Sequence, residues 1–198
     1  MRERPMQTLA EIAIYLVRTI GSIYLMIVLL RFLLQLVRAD YYNPISRFIV
    51  KATNPLLVPL RKIVPGFWGI DFACLMLALL VQIIILQAII LIAGAGWQNP
   101  LLLLPWSVVG ILGLLASVYF WALLIMVIAS WIAPYSDNPG LSLLRQLIEP
   151  SLAPIRKILP NMGGLDFSPM VALMLLHIFN QYIMPSLANA MGVPGGLL

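Results

Sequence analysis

Four long apolar runs, separated by polar segments of unequal length, set the plan of this chain. They cover roughly Ile12 to Val37, Phe72 to Ala93, Leu101 to Ala133 and Pro169 to Leu187. A helix needs about 20 apolar residues to cross a bilayer, and each run is long enough. The first and third are longer, which predicts tilt or extension beyond the hydrocarbon; the third starts later if Pro105 opens it. The segment after the first run changes character. Ile45, Phe48, Ile49 and Ala52 recur at helical spacing, while Arg47 and Lys51 point elsewhere. Asn43-Pro44 precedes them, and that pair suits a helix start because Asn caps and Pro fits the first helical position. The pattern predicts an amphipathic helix lying in the membrane interface. Asn138-Pro139 with Leu141, Leu144 and Ile148 repeats it more loosely.

The looser copy belongs to an internal repeat. Shifted by 95 residues, the two halves align without a gap, with 12 identities among the 30 positions from Asn43 to Phe72. Most identical residues are not apolar, so shared hydrophobicity does not explain the match. A duplicated unit does. The expected units are residues 1–95 and 96–198, each with two spans around a loop, 38–70 in the first and 134–165 in the second. Two spans per unit is an even number, so both units enter the membrane in the same sense. Their relating axis should then run along the membrane normal. The fold class is all-α, with about four transmembrane helices in two parallel two-helix repeats.

Each loop carries the same chemistry. Pro55, Pro59 and Pro65 match Pro150, Pro154 and Pro160. Prolines at such intervals remove backbone donors and are expected to break or kink the amphipathic segment. Arg61-Lys62 and Arg156-Lys157 sit between the second and third prolines of each set. Gly69 and Gly164 each stand two residues before an aspartate, Asp71 and Asp166, at the start of the next span. The aspartates have three readings: an N-cap favoured by the helix dipole, an ion pair with Arg or Lys that locks the loop onto the span, or an ion site. The basic pairs have two: topology and phospholipid contact, or a surface for a protein partner. Because the units are equivalent, neutralising Arg61 and Arg156 together is expected to impair function more than either change alone.

Composition fits a bilayer as solvent. The chain is 62% hydrophobic and 10% charged, whereas soluble domains carry roughly a quarter charged residues. The net charge of +5 rests on twelve Lys and Arg with no long basic run, so direct nucleic-acid binding is not implied. Arg38, Arg47, Lys51, Arg61 and Lys62 fall in the first loop, and Arg145, Arg156 and Lys157 in the second; the opposite side has only Arg2 and Arg4. The positive-inside rule then puts both loops in the cytoplasm and both termini outside. The apolar run after Arg4 is too long for a cleavable signal and no small-residue cleavage site closes it, so the first span is expected to be retained. One cysteine, Cys74, permits no intrachain disulfide and reads as a small core residue.

Polar residues inside the spans are few. Arg18 and Arg31 each lie six residues inside an end of the first run, about 9 Å at 1.5 Å per residue, within snorkelling reach of opposite interfaces. A buried polar contact between helices is the other reading of Arg31. Gln82 matches His177 under the repeat, and Gln87 matches Tyr182. These pairs read as interhelical hydrogen-bonding groups facing one another across the axis, or as a solute path joined by Asn180 and Gln181. His177 alone, without a cysteine or carboxylate cluster, is a poor haem or metal ligand set. The glycine pairs Gly94, Gly96 and Gly110, Gly113 suit close packing or loop flexibility. No phosphate-binding glycine loop, Gly-x-Ser-x-Gly, His-Glu-x-x-His or Cys-x-x-Cys is present, so no enzyme, cofactor or metal is expected.

The doubled string Asn-Pro, then Pro-x-Leu-x-Pro-x-Arg-Lys-Ile-x-Pro, then Gly-x-Asp-Phe resembles the YggT family of bacterial inner-membrane proteins, with its one-unit YlmG and chloroplast relatives. The resemblance covers nearly the whole chain. It departs in one place: the family often has an arginine in the helix before each loop, and Arg31 matches it, but Met126 stands at the second position. The resemblance implies a bacterial inner-membrane protein linked to osmotic-shock tolerance and to growth when potassium uptake is deficient. Gram-positive relatives sit among cell-division genes, and chloroplast relatives are associated with cytochrome maturation and nucleoid distribution. Two classes follow: a non-enzymatic scaffold or assembly factor, binding membrane lipid and a protein partner or a second copy through its cytoplasmic loops, or an ion channel or transporter for potassium or an osmolyte.

Overall fold

The computed structural model describes residues 3–66, 69–133, 136–159, 166–195 and 197. Arg2, Pro134, Pro160, Gly164, Leu165 and the side chain of Arg4 lie outside the described residues. The described chain is helical: α1 (Glu3–Leu36), α2 (Pro44–Arg61), α3 (Phe72–Ile92), α4 (Pro100–Ile132), α5 (Pro139–Ile158), α6 (Ser168–Ile178), a π-helical turn (Phe179–Ile183) and α7 (Met184–Ala190). Four stretches are long and apolar enough to cross a membrane: Gln7–Leu36, Phe72–Ile92, Pro100–Ile132 and Ser168–Ala190. They coincide with the four runs in the sequence. Pro105 does not open the third: Asn99 caps α4 by accepting from the Leu101 amide at 3.0 Å, and Pro105 sits inside the helix.

Both loops are helical through their first two prolines. Pro55 and Pro59 lie inside α2, and Pro150 and Pro154 inside α5. A proline in a helix leaves the carbonyl four residues back without its donor. Here the spacing of four puts both prolines on one exposed side of the helix, so the released carbonyls sit at the surface and the helix continues. The break comes later, beyond Arg61, where Pro65 stands clear of the helix end.

The duplication is built into the core. One buried cluster holds Val28, Leu57 and Leu77; another holds Leu123, Leu152 and Ala172. Each pair is separated by 95 residues, so the same three positions of each unit, on its first span, its loop helix and its second span, pack together. Leu57 and Leu152 are both fully buried. Leu33 of α1 joins the second cluster and Ile111 of α4 the first, which knits the units together.

Within unit 1 the first and second spans approach closely at Gly21. A Cβ there would lie 2.6 Å from Ile85 Cγ1, so glycine is what permits this separation of α1 and α3. Cys74 is buried, and its thiol donates to the Val28 carbonyl at 3.4 Å. On the outer side of α1, Ile12, Leu16, Ile20 and Ile23 form an exposed apolar stripe at helical spacing, a face suited to lipid.

Candidate functional site

The loop helices meet where each begins. Asn43 Oδ1 accepts from the Ile45 amide at 2.9 Å, capping α2, while its Nδ2 donates to the Pro139 carbonyl at 2.8 Å. Asn138 caps α5 in the same way through the Gly140 amide at 2.8 Å. The Asp40 amide donates to Gln146 Oε1 at 2.8 Å. The two Asn-Pro starts, 95 residues apart in sequence, are thus joined side by side. Both loops therefore occupy one face of the bundle.

At about 100° per residue, α2 separates into three faces. Ser46, Ile49, Thr53 and Leu57 are buried against the spans. Ile45, Phe48 and Leu56 are exposed and apolar. Arg47 and Lys51 are exposed on a third side. The sequence pattern grouped Ile49 with Ile45 and Phe48; the structure turns Ile49 inward and leaves the other two outside. In α5 the equivalent of Phe48, Leu143, is buried beside Leu34 and Ile49, so the exposed apolar side is a property of unit 1.

The end of each loop helix is clasped to the following span. Arg61 donates from Nε and Nη2 to Asp71 Oδ2, at 3.2 and 2.5 Å, and from Nη2 to Gln35 Oε1 at 3.3 Å. Asp71 Oδ1 accepts from the Cys74 amide at 3.2 Å. One carboxylate therefore caps α3 and holds Arg61 as well, so Asp71 serves as a cap and as an ion-pair partner at once. Arg61 ties the ends of α1 and α2 to the start of α3. Unit 2 repeats the clasp with different partners. Arg156 Nε donates to Asp166 Oδ2 at 2.8 Å, and its Nη1 pairs with Glu149. Asp166 Oδ1 accepts from the Ser168 amide at 2.9 Å, just ahead of α6, which starts one residue later than the repeat would place it. Burial alone would raise the Asp166 carboxyl, but hydrogen bonds from Ser168 and Arg156 outweigh it and hold the group below its usual range. The bond to Asp166 keeps the Arg156 guanidinium charged above its usual value.

The clasps divide the basic pairs. Arg61 and Arg156 turn onto the aspartates, while Lys62 and Lys157 are exposed and form no ion pair among the described residues. Arg31 lies within electrostatic range of Asp71, Arg61 and Tyr41, and its Nη1 is buried without a hydrogen-bond partner among the described residues. It is thus a half-buried polar group beside the unit-1 clasp. Met126, at the equivalent position, packs on the second apolar cluster. Gln35 and Glu149 were not singled out by sequence. Gln35 had one available signal, its i+4 spacing from Arg31; Glu149 had none, because Asn54 holds its place in unit 1.

The intramembrane polar residues converge elsewhere. A cavity of about 800 Å³ lies between α1, α3, α4 and the π-helical turn with α7. Arg18, Gln82, His177, Asn180 and Gln181 line it, with Ser22 and Ser117. Gln82 and His177 share this wall with no hydrogen bond between them among the described residues. Gln87 instead accepts from the Gln98 amide at 3.3 Å, and Tyr182 faces outward; the repeat does not bring that pair together. Gly110 and Gly113 also line the cavity, whereas Gly94 and Gly96 adopt positive φ in the connection from α3 to α4. Among the described residues, no three of His, Cys, Asp and Glu converge to hold a metal.

The CCB3/YggT family model matches residues 10–92 and again residues 105–187, two windows offset by the same 95 residues as the repeat. The chain is 52% identical to an uncharacterized protein of Pseudomonas aeruginosa over 183 residues, 92% of this chain and 93% of that one. It is 39% identical over 170 residues to the uncharacterized protein YggT of Escherichia coli K12, covering 84% and 86% of the two chains. An uncharacterized protein of Vibrio alginolyticus is 40% identical over 169 residues, 84% of this chain and 90% of its own. No solved structure matches the chain.

Proposed function

The chain belongs to the CCB3/YggT family, and on that footing we infer that it is a non-enzymatic scaffold or assembly factor of the bacterial inner membrane, acting in osmotic and ion homeostasis. The observation that carries this reading is the joined pair of loop helices. Asn43 fastens their starts together and the Arg–Asp clasps fix their ends to the spans. The result is a rigid platform, because each end is held by directional bonds rather than by chain connectivity alone. Ile45, Phe48 and Leu56 give α2 an apolar side to lay into the interface, and Arg47 and Lys51 a charged side toward water. That is the arrangement of an amphipathic interfacial helix. Lys62 and Lys157 remain outward, available to anionic lipid or a protein partner. The basic residues on this face support a cytoplasmic placement, with both termini outside.

The test uses the exposed lysines, because changing the clasp arginines would confound binding with stability. In cells lacking the native protein, Lys62→Glu with Lys157→Glu should abolish protection against hyperosmotic shock while the purified variant keeps the wild-type Tm. Full protection by that variant would remove the platform from the mechanism.

The polar cavity favours a second reading, passage of potassium or an osmolyte. Arg18, Gln82, His177, Asn180 and Gln181 supply its polar lining. Potassium flux into liposomes holding the protein, above that of empty liposomes and lost in Gln82→Leu and His177→Leu, would replace the scaffold reading.

A further inference from the structure

Arg31 and Arg61 share one carboxylate. Gln35 stands one helical turn after Arg31 on α1 and accepts from Arg61 Nη2 at 3.3 Å, which sets the two guanidiniums near one another. Asp71 is the one carboxylate, among the described residues, that pairs with Arg61 and acts on Arg31. Two cations therefore face one anion, and the group keeps an excess of one positive charge. Unit 2 has the opposite balance. Met126 stands in place of the first arginine, and Arg156 pairs with both Asp166 and Glu149. One cation there meets two anions. The sequence sets this difference at two positions, Arg31 against Met126 and Asn54 against Glu149.

We propose that the Arg31–Arg61 pair binds a phosphate group, either that of an anionic phospholipid in the loop-side leaflet or a soluble phosphate. Donors are left over for it. Arg61 spends Nε and Nη2 on Asp71 and Gln35, and its Nη1 takes no part in those bonds. Arg31 Nη1 is buried with no acceptor among the described residues, a state that costs free energy until an acceptor arrives. Guanidiniums with charge to spare select an oxyanion, and phosphate suits them because its oxygens take parallel N–H bonds. A phosphodiester carries a single negative charge, which matches the excess. The site is open, since Arg31 is partly exposed and the Arg61 side chain 38% exposed. Its level in the bilayer agrees. Arg31 lies five residues before Leu36, where α1 ends. That is about 7 Å at 1.5 Å per residue, within reach of a long side chain extending toward the interface. Arg61 closes α2 and Asp71 stands just before α3. The group therefore sits where the spans leave the hydrocarbon and lipid phosphates begin. Basic pockets between spans at this level bind anionic headgroups.

The experiment is calorimetric titration of the purified full-length chain in detergent, with short-chain phosphatidylglycerol and separately with inorganic phosphate. Saturable binding is expected. Arg31→Met, which installs the unit-2 residue, should weaken it more than about tenfold, and Arg31→Lys should restore part of the affinity. Asn54→Glu copies the carboxylate that unit 2 holds seven residues before its arginine. It leaves both arginines in place and should weaken binding about fivefold or more by cancelling the excess charge. Phosphatidylglycerol binding with these losses assigns the lipid; the same losses with inorganic phosphate alone assign the soluble source. Either result supports the site. Absence of binding in both titrations, or binding that either variant leaves unchanged, overturns the proposal. Arg31→Met is expected to fold, because methionine packs at that position in unit 2; should it not, Asn54→Glu carries the same test. The outcome is independent of the scaffold reading, which the Lys62 and Lys157 variants address.

Discussion

Replacing Arg61 with alanine should destabilise the protein more than the same change at Arg156, although the two positions are equivalent in the repeat. The difference lies in the carboxylates they hold. The Asp71 side chain is 4% exposed, the Asp166 side chain 44%. Deleting one partner of a buried ion pair costs about 3–5 kcal/mol because the remaining charge is left uncompensated. Arg61 is itself 38% exposed, so water reaches the pair, and about 2–3 kcal/mol is the expected cost. Every member of the Arg156 group is at least a third exposed, and such pairs contribute about 0–1 kcal/mol. Thermal unfolding in detergent micelles reads the difference. At about 2–4 °C per kcal/mol for a chain of this size, Arg61→Ala should lower Tm by about 4–12 °C and Arg156→Ala by no more than about 4 °C. Asp71→Asn separates pairing from capping, since asparagine caps as well as aspartate. Arg61→Ala with Asp71→Asn should be no worse than Arg61→Ala alone, because the stranded carboxylate is gone. Equal losses for the two arginines, or a larger one for Arg156, would refute the account. The two units would then be interchangeable, as their sequences alone suggest.

Three further outcomes are expected. Asn43→Ala removes a cap and the bond to Pro139, so it should cost more than Asn99→Ala, which removes a cap worth about 1 kcal/mol; chemical denaturation in mixed micelles would compare them, and equal costs would mean the inter-unit bond contributes nothing. Gly21→Ala forces a Cβ onto Ile85 and should cost about 1–3 kcal/mol, with Ile85→Ala restoring part of the loss in the double variant; no rescue would place the strain elsewhere. Asp166 has a lowered pKa, so its contribution is present above the ordinary aspartate value and disappears as pH falls through the lowered one. An acid titration of Tm should show that step in the wild type and lack it in Asp166→Asn, and a step surviving the substitution would belong to another group.

The sequence by itself determined the number of spans, their limits to within a few residues and the duplication, because each of these is a local or periodic property. A run of apolar residues long enough to cross, an Asn-Pro start and a proline set repeated after 95 residues need no knowledge of neighbours. Even the capping role of Asp71 was legible, since a cap bonds an amide three residues away. What the sequence left open were choices between near-equivalent partners across space. It could not show that the loop prolines share one exposed side and so leave the helices intact, nor that Arg61 turns inward while Lys62 faces out. Those outcomes depend on which side of α2 packs on the spans, and Ile49 went to a side that periodicity did not select. The asymmetry of the clasps is likewise tertiary: the two arginines are about equally exposed, but Asp71 is buried in unit 1 and Asp166 exposed in unit 2, and different neighbours, Gln35 in one and Glu149 in the other, complete them. Gln82 and His177 stand at equivalent positions, and the repeat could suggest their partnership; only helix packing decides that they line one cavity with Arg18, since burial and proximity are properties of several helices at once.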